Sequence, residues 1–337
     1  MFCIIVSDYI LSNHSPMEFY STLPLFNRLY ADIFQRIRLL NTSQTASFNQ
    51  YFDMSKFEAS YGEYNINLLS HIVHAQEYVD LTLWKIAEEI DSSFLLLKGQ
   101  FLLLFSMQID GTPLMSFISH KGYLPSFFNA LMKKDAKKIS YNKNEAIALL
   151  ETNSARLKDI VNRPIDAVYN FISIGYFLEP NELDCVHGNA TTKKTIIEMF
   201  DSIMTKEAVF YVTIDAMMHF FATGKVIVPF LGAIDVPAEN RVAYLRRFDI
   251  YMNEKSHEKI KVISSDLPKV AVLCFRGLSL IYIMDQTYQS EKIHCFETDI
   301  VSRILHNELA ENPLKTIDFS LDLWDAFIGE LTTIPRW

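Results

Sequence analysis

Glycine is scarce in this chain, and its scarcity is the feature that most constrains the fold. Only 10 of the 337 residues are glycine, whereas half of all residues are hydrophobic. Sheet proteins with many tight turns use glycine freely, because it adopts backbone conformations that other residues avoid. Long segments with apolar residues at helical spacing point the same way. The sequence therefore predicts an all-α fold with one large core or two modest ones.

Helical periodicity extends over much of the chain. Residues 191–222 repeat apolar side chains at helical spacing, and Gly224 suits a helix end at which φ turns positive. The loop over Asn41–Gln50 is rich in serine, threonine and asparagine, and Asp110-Gly111-Thr112-Pro113 has the residue chemistry of a turn. Further helices are predicted over Leu25–Leu40, Asn65–Ile90, Phe94–Met107 and Ile165–Leu178.

The stretch Lys225–Pro237, KVIVPFLGAIDVP, joins the two halves of the chain. It reads as a short apolar strand or turn bounded by Pro229 and Pro237, and an ordinary buried turn fits these residues equally well. Downstream, a helix is predicted to open at Leu267-Pro268, with proline in its first turn. It continues through KVAVLCFRGLSLIYIMDQ and is followed by the amphipathic segment KIHCFETDIVSRILHNEL.

This ordered set resembles the C-terminal half of the nucleoproteins of non-segmented negative-strand RNA viruses. The motif PFLGAI followed by proline, at 229–237, is similar to a sequence motif of bornavirus nucleoproteins. In the first half, FLLLFSMQIDGTPLMSFISHKGY at 101–123 resembles the apolar helix, proline turn and helix of that family. The resemblance implies a bilobed all-α protein that encapsidates single-stranded RNA between its lobes, without catalysis, metal or other cofactor.

The family pattern also implies how the chain is divided and what it meets. The predicted segments are an N-terminal arm at 1–24, an N-terminal lobe at 25–180, a C-terminal lobe at 181–317 and a C-terminal arm at 318–337. The arms would join neighbouring copies head to tail into filaments or rings. Further implied partners are the viral polymerase and phosphoprotein. The implied location is the virion nucleocapsid and the host cytoplasm or nucleus.

Basic residues are the candidates for contact with RNA phosphates. The net charge of −9 argues against a generally basic protein but allows a local basic surface. The densest cluster, 133–138, also fits a solvated helix end. The loop 187–194 offers an anion site at a helix start, or simply a threonine N-cap. The full candidate set is Lys133, Lys134, Lys137, Lys138, Arg156, Lys158, Arg163, Lys193, Lys194, Arg246, Arg247 and Lys292.

Two alternatives to the nucleoprotein interpretation stay open. One is a helical-bundle metalloenzyme, whose carboxylate and histidine ligands would come from two helices. The candidate metal ligands lack the repeated Glu-x-x-His spacing of such sites. The chain also has no P-loop, G-x-S-x-G or H-E-x-x-H motif. The other is a helical adaptor that binds protein alone. The possible metal ligands are His71, His74, Glu77, Asp80, Asp215 and His219.

Cysteine usage and hydropathy bear on the compartment. Cys3, Cys185, Cys274 and Cys295 show neither metal-ligand spacing nor a disulfide framework, which fits a reduced intracellular setting. The most membrane-like stretch, Phe94–Met107, is too short to span a bilayer and is interrupted by polar residues. The sequence therefore predicts no membrane insertion.

Overall fold

The fold is mixed α/β, so the all-α prediction is wrong. A computed structural model describes residues 4–6, 8–9, 17–23, 46–54, 67–87, 93–152, 159–160, 162–186, 188–254, 260–263, 270–285, 290–310 and 316–318. Strands form two large sheets and one separate hairpin in this part of the chain. Many of the apolar segments predicted to be helices are buried strands.

Two compact units divide the chain. One comprises residues 1–141 and 285–289, and the other comprises 142–284 and 290–337. The lobe boundary predicted at Pro180 lies inside the second unit, where Pro180–Leu183 forms a short 3-10 helix.

The first unit is built on a seven-stranded sheet with the order β6-β5-β4-β1-β2-β3-β7. The three strands β1, β2 and β3 are parallel to one another, and the other pairings are antiparallel. In chain order the elements are β1 (Glu18–Ser21), β2 (Ala46–Asp53), α1 (Asn67–Tyr78), β3 (Val79–Ile86), β4 (Ser93–Leu97), β5 (Phe101–Met107), β6 (Pro113–Ile118), α2 (Tyr123–Met132) and β7 (Ala136–Lys138).

The second sheet has the order β17-β13-β10-β9-β14-β15-β16-β8, and β9, β10 and β13 are parallel. The strands β11 and β12 form a separate antiparallel hairpin. The elements are β8 (Ser140–Asn142), α3 (Lys143–Thr152), β9 (Ile165–Asn170), α4 (Ala190–Met204), β10 (Val209–Thr213), α5 (Ile214–Thr223), β11 (Lys225–Val228), β12 (Gly232–Asp235), α6 (Ala238–Glu254), β13 (Ile260–Ile263), β14 (Val270–Phe275), β15 (Leu278–Asp285), β16 (Ser290–Phe296), α7 (Ile300–Ala310) and β17 (Thr316–Asp318).

The two units repeat one topology. In each sheet three parallel strands stand in sequence order, an antiparallel edge strand follows the third, and three consecutive strands extend the other side of the first. The strands β1 to β7 thus correspond to β9, β10, β13, β14, β15, β16 and β17. A helix precedes the last strand in both units, α2 before β7 and α7 before β17. The shared order indicates an internal repeat of one α/β module, to which the second unit adds the hairpin. The strand β8 is an additional edge strand of the second sheet.

Glycines with positive φ turn two predicted helices into hairpins. Within Phe94–Met107 the chain reverses at Lys98-Gly99-Gln100, where Gly99 has φ 72°. Within the segment after Pro268 it reverses between Phe275 and Leu278, where Gly277 has φ 70°. Apolar runs of this length fit a buried strand as well as a buried helix, and the glycine between two runs favours the strands.

Further predicted elements need correction. The segment Asn65–Ile90 is helical only as far as Tyr78 and then continues as β3, while 191–222 is divided into α4 and α5 by β10. Ile165–Leu178 begins with strand β9, and Asn41–Gln50 already enters β2 at Ala46. Strand β1 lies within the predicted N-terminal arm, yet it is a central strand paired on both sides. Leu25–Leu40 and most of the C-terminal arm lie outside the described residues.

Two local predictions are confirmed. Gly224 ends α5 in the left-handed conformation, with φ 71° and its N–H bonded to the Phe220 carbonyl. The turn at Asp110–Pro113 is also present, since the Gln108 N–H bonds the Thr112 carbonyl and Gly111 has φ 82°.

Candidate ligand-binding pocket

A cavity of about 100 Å³ lies within the second unit, against one face of β10 and beyond the carboxyl end of β9. The segment after β9, three helices, the first strand of the hairpin and Ile260 of β13 complete its wall. None of its 17 lining residues carries a formal charge. Seven are aromatic: Tyr176, Phe177, Phe210, Phe220, Tyr244, Phe248 and Tyr251.

The aromatic rings pack mainly edge to face. Phe177 is the centre of this wall, with its ring centroid 5.9, 5.1 and 5.6 Å from those of Tyr244, Phe248 and Tyr251. Tyr251 also lies 5.7 Å from Phe210 at 80°. Tilted aromatic pairs are favourable in themselves. Because the rings hold one another in place, the apolar wall is fixed by its own packing.

The few polar groups in the wall are neutral. The Tyr176 hydroxyl donates to Asn170 Oδ1 at 3.3 Å, and the Tyr244 hydroxyl donates to the Ile174 carbonyl at 3.3 Å. Burial raises the pKa of Tyr176, Tyr244 and Tyr251 well above the ordinary tyrosine value. These hydroxyls therefore remain protonated at neutral pH, and the pocket offers hydrogen bonds without charge.

Arg247 fastens the segment that carries Phe177 to helix α6. Its Nε donates to the Phe177 carbonyl at 2.6 Å and its Nη2 to Glu182 Oε2 at 2.6 Å, while Nη1 lies 3.4 Å from Glu179 Oε1. Its guanidinium also lies 5.7 Å from the centre of the Tyr244 ring. Arg247, which was predicted to bind RNA, thus stabilises the pocket wall in the structure.

The lysine cluster lies in the first unit. Lys133 and Lys134 follow α2 and are exposed, whereas Lys137 and Lys138 belong to β7, the edge strand of the sheet. Lys137 stands directly opposite Lys85 of β3 in the antiparallel pairing. The fold therefore adds Lys85 to the cluster, which sequence reasoning missed because the two residues are far apart in the chain.

The other RNA-binding candidates are scattered through the second unit. Lys194 lies 3.7 Å from Glu198, and Arg163 donates to the carbonyls of Arg276 and Gly277 at 3.5 Å. Lys193 is half-buried in the first turn of α4, and Arg246 is exposed on α6. Lys292 is only 6 % exposed in β16, so it does not offer an accessible cation. Arg156 and Lys158 lie outside the described residues.

The predicted anion site at the start of α4 is occupied by a side chain. Asn189, rather than a threonine, caps the helix by accepting the Thr192 N–H at 2.7 Å. Glu151 from α3 accepts the Thr192 hydroxyl at 2.7 Å and the Asn189 amide. These two bonds lower the pKa of Glu151. A carboxylate of the protein thus meets the preference of this helix start for an anion.

The possible metal ligands are not gathered into a site. Among the described residues no three His, Cys, Asp or Glu side chains approach closely enough to hold a metal ion. His74 lies 3.3 Å from Glu77 on the exposed face of α1, but Asp80 belongs to β3. Asp215 and His219 are both exposed on α5.

Two further predictions concern cysteines and membranes. Among the described residues, Cys185, Cys274 and Cys295 form no disulfide bond, while Cys3 lies outside them. No helix in the described part of the chain is both long enough and apolar enough to cross a membrane.

The pocket was not predicted from the sequence, although the sequence contains part of the aromatic pattern that lines it. Tyr244, Phe248 and Tyr251 recur at intervals of four and three residues, which places them on one face of α6. The remaining lining residues come from separate strands and helices and are brought together only by the fold. An aromatic stripe of this kind is also typical of an ordinary core.

Comparisons with known proteins give little further guidance. No protein-family model matches the chain, and no curated protein is significantly similar to it in sequence. One similar solved structure is TrmBL2, described as an archaeal chromatin protein with a novel mode of DNA binding. The match has 14% sequence identity and a TM-score of 0.26, and it covers 41% of this chain and 49% of that chain, about half its length. A likeness this weak carries no argument about fold or function.

Proposed function

We propose that the second unit binds a small apolar molecule in the aromatic pocket. The observation that carries this proposal is a cavity of about 100 Å³ whose lining includes seven aromatic rings and no charged residue. Tightly packed interiors contain few voids larger than a water molecule. Apolar cavities of about 150 Å³ bind benzene, so the cavity is of the right order for a single ring.

Binding, rather than chemical conversion, is the activity that the lining supports. Burial raises the pKa of its Tyr176 and Tyr244 hydroxyls further above neutral pH, whereas a general acid or base needs a pKa near the working pH. The wall instead offers apolar area and a few fixed hydrogen-bonding groups, which is the usual composition of a ligand pocket. In this proposal the unit holds a ligand and releases it unchanged.

Filling the pocket is expected to abolish binding. Ala216 lies in the first turn of α5, is 6 % exposed and lines the cavity, so Ala216→Phe places a ring in the space that a ligand needs. We expect the affinity for ethylbenzene, followed by saturation-transfer NMR, to fall by at least about tenfold because the packed wall cannot expand to hold both. Ala222→Phe, at an exposed position of the same helix, is the matched control. Failure of ethylbenzene to bind the unchanged protein would refute the proposed function.

A second candidate function is sequence-tolerant binding of single-stranded RNA at the lysine cluster. The placement of Lys85 opposite Lys137 favours it, because Lys85 then joins two lysines of the edge strand, Lys137 and Lys138. Clustered cations neutralise phosphates without reading bases. Lysines on an edge strand also prevent pairing with other sheets, and this role alone accounts for their position. Encapsidation of viral RNA by a polymer of this chain stays a prediction within this second proposal.

Two double variants separate these roles of the lysines. Lys133→Ala with Lys137→Ala is expected to weaken binding of single-stranded RNA and to make its salt dependence shallower. The slope of log K against log salt changes by about 0.7 for each phosphate that the variant no longer neutralises. The control, Lys121→Ala with Lys225→Ala, removes the same charge from exposed positions outside the cluster. Equal anisotropy titrations for the two variants would assign the cluster to edge protection.

A further inference from the structure

We propose that the ligand is an uncharged single-ring molecule with a hydrogen-bond acceptor, and that Asn170 is the residue that selects it. This inference rests on the proposed binding function and specifies its ligand. It follows from the unused donors of Asn170, the neutrality of the wall and the size of the cavity.

Asn170 is a buried polar side chain with unused donors. It is the last residue of β9, it lines the cavity and it is only 7 % exposed. Its Oδ1 accepts the Tyr176 hydroxyl at 3.3 Å, which fixes the orientation of the amide. Among the described residues its Nδ2 group has no hydrogen-bond partner, and this nitrogen is not fully buried. Because Asn170 lines the cavity and this nitrogen keeps accessible surface, it can donate to an acceptor supplied from within the cavity.

The rest of the wall defines the ligand around that acceptor. A charged ligand would lose its hydration without gaining an opposite charge, because every lining residue is neutral. Aromatic walls favour an aromatic guest, whose ring can pack edge to face or offset against them. An aryl ketone, aldehyde or amide of one ring meets all three conditions.

Acetophenone and ethylbenzene test this selection, since they have similar shapes and differ in the carbonyl. We expect the unchanged protein to bind acetophenone about three- to tenfold more tightly, the contribution of one neutral hydrogen bond. Asn170→Leu also frees the Tyr176 hydroxyl, which could then donate to acetophenone, so it is combined with Tyr176→Phe. We expect the preference to vanish in this double variant and to persist in Tyr176→Phe alone, while ethylbenzene still binds both. The Asn170 side-chain amide resonances should shift on addition of acetophenone and stay in place with ethylbenzene.

The outcomes distinguish this inference from the function on which it rests. If neither compound binds the unchanged protein, the proposed function fails and the inference fails with it. If ethylbenzene binds as tightly as acetophenone, the pocket is real but Asn170 does not select the ligand, and its amide is satisfied by water. A preference that persists in the double variant Asn170→Leu with Tyr176→Phe would also overturn the inference. The comparison within the unchanged protein remains decisive even if the variant does not fold.

Discussion

The stability of this protein is expected to fall as the pH is lowered from about 6.5 towards 3, because His294 is buried in its neutral form. His294 is fully buried in β16. Burial, with a smaller contribution from Lys292, lowers its pKa from 6.5 to about 3. Between these two values the unfolded chain binds a proton that the folded protein does not. The free energy of unfolding therefore decreases by up to about 1.4 kcal/mol for each pH unit lost in this range.

Two histidine variants isolate this contribution from that of the acidic residues. His294→Gln removes the titration and should give a shallower dependence on pH between about 7 and 5, measured by urea denaturation with circular dichroism. His120→Gln changes an exposed histidine and should leave the slope of the unchanged protein intact. If the free energy of unfolding depends on pH equally in the unchanged protein and in His294→Gln, then His294 takes up its proton without unfolding.

The fold class was predicted wrongly from the sequence for a definite physical reason. Buried strands and buried helices are both continuously apolar, so runs such as 94–97 and 101–105 carry no period that separates them. The low glycine content weighed against sheets, but a hairpin needs few glycines if they stand at the reversals. Gly99 and Gly277 do so, with φ 72° and 70°. Their positions were more informative than their number.

Local features were predicted better than pairings between distant residues. The helix end at Gly224 depends on neighbouring residues, and it is confirmed. The ion pairs of Arg247 with Glu179 and Glu182 join residues about 65 positions apart, and nothing in the sequence specifies them. The pocket is similar, since Asn170, Ala216 and Tyr244 meet only after the sheet and helices have formed. The repeated topology was not predicted either, because it is recognised only from the order of the strands in the two sheets.

The stretch Lys225–Pro237 forms a hairpin whose tip is fixed by Glu291. Phe230 has φ 65°, a left-handed conformation that is unfavourable for a residue with a side chain. Its N–H donates to Glu291 Oε2 at 2.6 Å, and the Tyr282 hydroxyl donates to the same oxygen at 2.7 Å. The Phe230 and Tyr282 rings pack at 85°. The carboxylate thus compensates for the strained turn and satisfies two buried donors.

Replacing Glu291 by alanine is therefore expected to destabilise the protein by about 3 kcal/mol, since a hydrogen bond to a charged group contributes about 1.5 to 3 kcal/mol. Glu291→Gln keeps an acceptor oxygen and should cost less. Lys143→Met is the control, because Lys143 is 44% exposed and lies 3.5 Å from Glu291 Oε1. Because Lys143 is nearly half exposed, its loss should cost less than the loss of the two buried hydrogen bonds that Glu291 accepts. Urea denaturation in which Lys143→Met costs as much as Glu291→Ala would show that the ion pair, and not the two buried donors, holds the hairpin.

The hairpin also carries Val226 of the pocket wall, so Glu291→Ala should weaken ethylbenzene binding while Lys143→Met leaves it unchanged.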